Sequence, residues 1–246
     1  MSLKTFGLVG KDISYSFSRG YFTQKFKDLQ LDNHQYVNFD LPEVSLLENI
    51  IAEKKEGLTG MNVTIPYKQE VMQFLTEIDE DAKEIGAVNV IKLTQDKVIG
   101  YNTDVYGFQK SIEPFLKSHH TKALILGTGG ASKAVKHAFK KLGIAHQYVS
   151  RTAAEGVLTY SSLNKELMEE YSVIVNTSPL GTSPKVELKP DIPYQYLTEK
   201  HLLFDLIYNP AETTFLRLGK EQGATIKNGL QMLELQAEKS WEIWNS

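Results

Sequence analysis

The sequence ALILGTGGAS, residues 123–132, joins an apolar run to a glycine-rich turn and then to a helical segment. The run Ala123–Leu126 has the length and composition of a buried strand. After the turn, Ala131–Leu142 places its apolar side chains on one stripe with the spacing of an α-helix. This order is typical of a turn that binds dinucleotide phosphates, because it directs backbone N–H groups and a helix dipole to one point. The alternative is an ordinary strand-to-helix turn.

Outward from this motif, strand-length apolar runs alternate with helical segments. Further strands are predicted at Phe6–Val9, Gln35–Phe39, Gly60–Thr64, Val88–Ile91, Gln147–Val149, Val173–Val175 and Leu202–Leu206. A last amphipathic helix is predicted over residues 229–244, after the Asn228-Gly229 turn. Alternating strands and helices predict an α/β fold with parallel sheets covered by helices.

Two domains are predicted from the position of the glycine-rich turn. Residues 1–105 with 229–246 form an N-terminal α/β domain that carries substrate and chemistry, and residues 106–228 form a Rossmann-type, doubly wound dinucleotide-binding domain. The second domain is expected to begin with a helix over Val105–Leu116. Four of the eight prolines lie in Pro179–Pro193, which predicts a long ordered loop there.

Composition excludes several classes of protein. The chain has 27 Lys and Arg against 30 Asp and Glu, so a net charge of −3 gives no basic excess for a nucleic-acid partner. The absence of cysteine excludes disulfides, thiolate metal sites and cysteine nucleophiles, and no metal is expected in the site. The apolar runs are far shorter than the ~20 residues of a membrane helix. We therefore expect no membrane association and a cytoplasmic location.

The end of the strand after the glycine-rich turn selects the cofactor. An NAD site places Asp or Glu there to bind the ribose 2′-hydroxyl. This chain has Val149-Ser150-Arg151-Thr152 instead. The guanidinium of Arg151 suits a 2′-phosphate, so NADP is favoured over NAD. The alternative is that Arg151 is a solvated surface residue.

Candidate chemistry lies in the first block, in the sequence NVTIPYK, residues 62–68. Asn62 and Thr64 alternate onto one face of a strand end, where they can bind substrate hydroxyls. A helix initiated by Pro66 is predicted to follow, with Lys68 in its first turn. The helix dipole disfavours an ammonium there, so Lys68 is a candidate general acid or base at an alcohol carbon. Taken alone, a solvated helix lysine is the simpler interpretation.

Three further polar clusters follow predicted strands or begin at them. Asp104 follows Asn102-Thr103 and is either a helix N-cap or a partner that orients Lys68. Asn89, in Gly86-Ala87-Val88-Asn89, supplies another amide. The hydroxyls of Ser16 and Ser18 are spaced to bind a carboxylate. Each cluster alone is equally consistent with an ordinary polar loop or cap.

Together these motifs resemble the shikimate/quinate dehydrogenase family, over nearly the whole chain from Gly10 to Gln236. The resemblance implies that Lys68 is catalytic with Asp104 as its partner. It implies substrate binding by Ser16, Ser18, Asn62, Thr64, Lys68, Asn89, Asp104, Tyr208 and Gln236. It implies cofactor contacts from Gly127, Thr128, Gly129, Gly130, Ala131, Ser150, Arg151, Thr152, Asn176, Thr177, Ser178, Leu206, Gly229 and Met232. The implied reaction is the reversible NADP-dependent reduction of 3-dehydroshikimate to shikimate, by a monomer or homodimer.

The loop after the first strand departs from the family pattern. The usual His is replaced by Tyr15 and the usual Pro by Arg19. A quinate/shikimate dehydrogenase that uses NAD shares most motifs and is one alternative. A dinucleotide-binding sensor without catalytic activity is another, although it would not need Lys68, Asp104 and the amides together.

Overall fold

The computed structural model describes residues 2–14, 16–53 and 57–246. Within these residues the strands form two six-stranded sheets. The strands are β1 Lys4–Gly10, β2 His34–Asp40, β3 Leu58–Val63, β4 Glu77–Ile78, β5 Val90–Leu93, β6 Val98–Tyr101, β7 Lys122–Leu126, β8 Ala145–Ser150, β9 Val157–Thr159, β10 Val173–Asn176, β11 Leu202–Asp205 and β12 Thr225–Lys227. The α-helices are α1 Phe17–Asp28, α2 Leu46–Glu53, α3 Glu80–Ile85, α4 Asp104–Ile112, α5 Gly130–Lys141, α6 Lys165–Glu170, α7 Thr214–Glu221 and α8 Leu230–Asn245.

The chain divides into two compact units, 1–103 with 237–246 and 104–236. Relative to the predicted domains, residues 104–105 and 229–236 fall in the second unit. Helix α8 contributes its first part to the second unit and its last part to the first. The predicted domain bounds themselves stay a prediction.

The first unit contains a mixed sheet in the order β2-β1-β3-β5-β6-β4. Strands β3 and β5 pair antiparallel, as do β5 and β6. The prediction of a parallel sheet is therefore wrong for this part. Strands β5 and β6 are joined by a turn in which Thr94 N–H donates to the Lys97 carbonyl at 2.9 Å. A connection this short permits only antiparallel pairing.

The C-terminal residues of the chain pack into the core of the first unit. Trp244 is buried, packs against the rings of Phe6 and Phe22, and donates its indole N–H to the Ile91 carbonyl at 3.0 Å. Gly60 allows the Trp244 ring to lie directly on β3, because a Cβ at residue 60 would overlap it. The C-terminal residues are therefore part of this core.

The second unit contains a parallel sheet in the order β12-β11-β10-β7-β8-β9. This is the doubly wound order, in which the connection reverses direction between β7 and β10. Ala123–Leu126 are fully buried in β7, and the predicted stripe of α5 buries Val135 and Phe139. The expected doubly wound architecture is confirmed.

Two other elements differ from the prediction. The helix expected over Val105–Leu116 is α4, which ends at Ile112, and a 3₁₀ turn continues over Glu113–Phe115. Pro114 lacks the N–H that would continue the α-helix. Between Thr177 and Pro193 the structure has neither helix nor strand, as the prolines predict. In the part of the chain that is described, no helix has the length and hydropathy to cross a membrane.

Candidate functional site

The glycine-rich turn lies at the carboxyl edge of the parallel sheet, where the strand order reverses. Gly127 has φ +110°, and its N–H donates to the Val149 carbonyl at 2.8 Å. A Cβ at this position would lie 3.0 Å from Thr177 Oγ1, so both conformation and proximity favour glycine here. Gly129 is the N-cap of α5 and has no side chain to bond the first N–H groups of that helix. The Ser132 N–H donates to the Gly129 carbonyl at 3.1 Å, and the N–H groups before it, at Gly130 and Ala131, point to where a ligand phosphate would bind.

A cavity of about 290 Å³ lies beside this turn. Its lining comes from the turn, the end of β8 and the loop after β10: Gly127, Thr128, Gly129, Ser150, Arg151, Tyr160, Thr177, Ser178, Pro179 and Leu180. Seven of the residues predicted to bind a cofactor thus surround one space. Arg151, just after the end of β8, is exposed and contributes its guanidinium to the lining. The arrangement accommodates a phosphate at the glycines and a second anion at Arg151.

Tyr160 also lines this cavity and was not predicted from the sequence. It begins the 3₁₀ turn after β9 and is half-buried. Burial raises the pKa of the Tyr160 phenol, and the positive charge of Arg151 opposes this. Strand β9 was also missed, because its three half-buried residues do not form an apolar run. No sequence signal separated this tyrosine from the others in the chain.

The other predicted cofactor residues lie near the same edge of the sheet. Gly130 and Ala131 begin α5, and the Thr152 N–H bonds Ser150 Oγ at 3.3 Å. Leu206 follows β11, where its N–H donates to the Asn176 carbonyl at 3.0 Å. The Gly229 N–H bonds the Ile207 carbonyl at 3.1 Å, and Met232 is buried in α8. The sheet edge therefore collects most of the predicted set, although their contacts with a cofactor stay predictions.

A buried carboxylate follows the strand next to this loop. Asp205 ends β11, is fully buried and accepts from Asn176 Nδ2 at 3.0 Å and Thr213 Oγ1 at 2.6 Å. Burial raises the pKa of Asp205 to about 6, while hydrogen bonds from Thr213, Ile207 and Asn176 oppose the rise. Asp205 is not among the site residues predicted from the sequence. The only signal was a single acid at the end of an apolar strand.

In the first unit, the predicted carboxylate-binding serines lie at the start of α1. Ser16 is the N-cap, and its Oγ accepts from the Arg19 N–H at 3.3 Å. Ser18 lies in the first turn, and its hydroxyl lowers the pKa of the Tyr36 phenol, against the larger effect of burial. Tyr15, the departure noted in the sequence, lies outside the described residues. The Ser16 hydroxyl thus also caps the protein's own helix.

Asn62 is held by two buried hydroxyls that the sequence analysis missed. Its Oδ1 accepts from the Tyr36 hydroxyl at 2.8 Å, and its Nδ2 donates to Ser240 Oγ at 3.0 Å. Ser240, in α8, is fully buried and lies 3.4 Å from Thr103 Oγ1. The amide of Asn62 therefore has one fixed orientation. Residues 36, 62 and 240 are far apart in sequence, so no local pattern could reveal their contact.

Thr103 connects this network to the second predicted amide. Its backbone N–H donates to Asn89 Oδ1 at 2.7 Å, and its Oγ1 accepts from Asn89 Nδ2 at 3.1 Å. Asn89 is almost fully buried. The structure thus joins Asn62 and Asn89 through Ser240 and Thr103, and Tyr36 bonds Asn62 from the other side. We call these five side chains the amide network.

The predicted helix around Lys68 is wrong. Residues Ile65–Gln69 form turns, and a 3₁₀ helix begins only at Glu70. The Lys68 carbonyl accepts from the Val88 N–H at 2.7 Å. It therefore bonds the segment before β5 and is not available for a helical hydrogen bond. No helix dipole therefore acts on this half-buried lysine. Thr64 lies just after β3 and donates its N–H to the Val9 carbonyl at 2.9 Å.

Three predicted substrate residues belong to the second unit. Asp104 is the first residue of α4 and is buried. One turn later, Gly107 lets α4 contact α8, because a Cβ there would lie within 3.2 Å of the Gln236 backbone N. Asp104 and Gln236 are thus on touching helices, whereas Tyr208 is an exposed residue after β11. A common site for all the predicted substrate residues stays a prediction.

A doubly wound parallel sheet with a glycine-rich turn and an arginine at the carboxyl edge defines a Rossmann-type dinucleotide-binding protein. A family model described as the shikimate dehydrogenase substrate binding domain matches residues 8–91. A shikimate dehydrogenase (NADP⁺) of Methanococcus maripaludis strain S2 is 37% identical over 256 residues, 98% of this chain and 91% of that protein. The chain belongs to the shikimate dehydrogenase family.

Solved structures agree with this assignment. The chorismate mutase/shikimate 5-dehydrogenase fusion protein of Clostridium acetobutylicum has a TM-score of 0.90 at 35% identity, covering 100% of this chain and 92% of that one. Shikimate 5-dehydrogenase of Thermus thermophilus, solved with NADP(H) and shikimate, has a TM-score of 0.86 at 26% identity. That comparison covers 98% of this chain and 93% of the other. The similarity thus extends over both compact units.

The amide network predicts the effect of removing one hydroxyl. Ser240→Ala leaves an N–H of Asn62 without its buried partner, which costs about 1–3 kcal/mol. Ser111→Ala is the matched control, because this buried serine bonds the Phe108 carbonyl of its own helix. We expect the free energy of unfolding, measured by urea denaturation, to fall more for Ser240→Ala. Equal losses in the two variants would contradict the prediction.

The buried Asp205 predicts a pH-dependent term in stability. Its pKa is 3.8 ordinarily and about 6 when folded, so the folded state binds the proton more tightly. This favours the folded state below pH 4, and the advantage is lost as the pH rises through 6. Tyr194, which interacts electrostatically with Asp205, has its pKa raised by burial and stays neutral in this range. Relative to Asp205→Asn, the wild type should lose about 2 kcal/mol between pH 4 and 7.

Urea denaturation of the two proteins across this pH range provides the measurement. The other carboxylates are the same in both proteins, so their difference isolates residue 205. A difference that stays constant with pH would show that residue 205 does not titrate there.

Proposed function

We propose that this protein catalyses the reversible NADP-dependent reduction of 3-dehydroshikimate to shikimate, a step in aromatic amino acid biosynthesis. It is therefore an oxidoreductase that acts on a CH–OH group. The observation that carries the proposal is the cavity at the sheet edge, which brings the glycine-rich turn and Arg151 together. The identity of the substrate is inferred from membership of the shikimate dehydrogenase family.

The residues around the cavity fit a dinucleotide. At Gly129 and Gly130 a Cβ would meet no atom within 4 Å, so the backbone is open to a close ligand. The N-terminus of α5 favours the pyrophosphate, and Arg151 pairs with a 2′-phosphate. NADP is therefore the cofactor, and it supplies or accepts the hydride when bound. Because Ala153 and Ala154 follow Thr152 without a further cation, the preference over NAD depends largely on Arg151.

Proton transfer is assigned to the first unit. In the reducing direction, Lys68 donates a proton to the substrate oxygen as charge develops there. The amides of Asn62 and Asn89 bind substrate hydroxyls, and the amide network keeps both in a fixed orientation. Ser16 and Ser18 bind the carboxylate. The partnership of Asp104 with Lys68 stays a prediction, as do the cytoplasmic location and the monomeric or homodimeric state.

A crossed assay tests the reaction. Purified protein is given shikimate or quinate with NADP⁺ or NAD⁺, and absorbance is followed at the reduced nicotinamide band. We expect the highest kcat/KM with shikimate and NADP⁺. Faster turnover of quinate with NAD⁺ would favour the alternative of a quinate/shikimate dehydrogenase. No turnover with any pair, from folded protein, would favour a non-catalytic sensor.

The role of Lys68 predicts a selective loss of rate. Positioned acid–base groups contribute about 10²–10⁴-fold, so Lys68→Ala should lower kcat by this range. Calorimetry should show that shikimate still binds. Lys97→Ala is the control, because this exposed lysine pairs with Glu77 at the surface, and its kcat should equal that of the wild type. A fully active Lys68→Ala enzyme would exclude Lys68 as the acid.

A further inference from the structure

The buried carboxylate of Asp205 has no role in the mechanism above. It is the last residue of β11, where the three preceding residues, Leu202–Phe204, are fully buried and apolar. Burying a carboxylate in such a place is costly unless donors surround it. Its Oδ1 accepts from the Ile207 N–H at 3.0 Å and from Asn176 Nδ2 at 3.0 Å, and its Oδ2 accepts from Thr213 at 2.6 Å.

Asn176 bonds both Asp205 and the loop after β10. It is fully buried, and its Oδ1 accepts from the backbone N–H of Ser178 at 3.0 Å and from Ser178 Oγ at 2.7 Å. Its Nδ2 also donates to the Leu180 carbonyl at 3.3 Å. Because Asp205 only accepts, it directs the amide nitrogen to itself and thereby the amide oxygen to Ser178.

The loop that Asn176 holds forms one wall of the cofactor cavity. Residues 177–180 all line it, and Thr177 lies directly beside Gly127 of the glycine-rich turn. Thr177 also bonds the end of β7, with Oγ1 donating to the Leu126 carbonyl at 2.8 Å. One edge of the loop is thus fixed by β7 and the other by the Asn176 amide.

We propose that Asp205 is a positioning residue for the dinucleotide: it fixes the Asn176 amide, and through it the loop at residues 177–180 against the glycine-rich turn. The inference rests on the proposed NADP site. Asp205 therefore contributes to the affinity for the cofactor although its side chain does not line the cavity.

Four variants and the wild type test the inference by calorimetric titration with NADP⁺ alone. We expect Asp205→Ala and Asn176→Ala each to weaken NADP⁺ binding about tenfold. The double variant should bind no more than about twofold more weakly than either, because both act through the same amide. Thr213→Val is the matched control. It removes another partner of the carboxylate and the N-cap of α7, so it should lower Tm and leave the Kd for NADP⁺ within about twofold.

Asp205→Asn provides a rescue. It retains an acceptor oxygen for Asn176 and should bind NADP⁺ nearly as tightly as the wild type. If Asp205→Ala does not fold, Asp205→Ser replaces it, because its hydroxyl ends one bond short of the carboxylate oxygens and does not reach Asn176.

Two results would overturn the inference: a folded Asp205→Ala or Asp205→Ser variant with wild-type NADP⁺ affinity, or losses that add in the double variant. In either case the wild type still binds NADP⁺, so the proposed function stands. A wild type that binds no NADP⁺ would overturn both.

Discussion

The passage of the chain from β7 into α5 constrains the rest of the second unit. Gly127 has a φ of +110°, and a Cβ there would lie only 3.0 Å from Thr177 Oγ1. This contact is possible only because β10 lies directly beside β7 in the sheet. The strand order reverses at that pair, and the cavity lies at the carboxyl edge beside it.

The sequence predicted elements whose residues are buried on one side or both. The fully buried β7 and the apolar stripe of α5 were read correctly because their patterns repeat within a few residues. Short, half-exposed strands such as β9 and β12 lack such a pattern and were missed. The helix predicted at Lys68 failed for another reason: a long-range bond from Val88 competes for the carbonyl that a helix would use.

The candidate site shows the same division. Glycines, Arg151 and the NVTIPYK motif are recognised because local chemistry requires particular residue types at fixed spacing. The hydroxyls of Tyr36 and Ser240 act only through Asn62, which lies on a different element from both. The roles of such residues arise from tertiary packing, so no local pattern in a single sequence indicates them.

The division of α8 between the units has a consequence for how the chain is made. Residues 237–246 follow the whole of the second unit along the chain, yet Trp244 fills the core of the first. During translation, all residues of the second unit are therefore synthesised before Trp244, which the core of the first unit needs. The first unit can therefore complete its core only after the whole of the second unit has been synthesised.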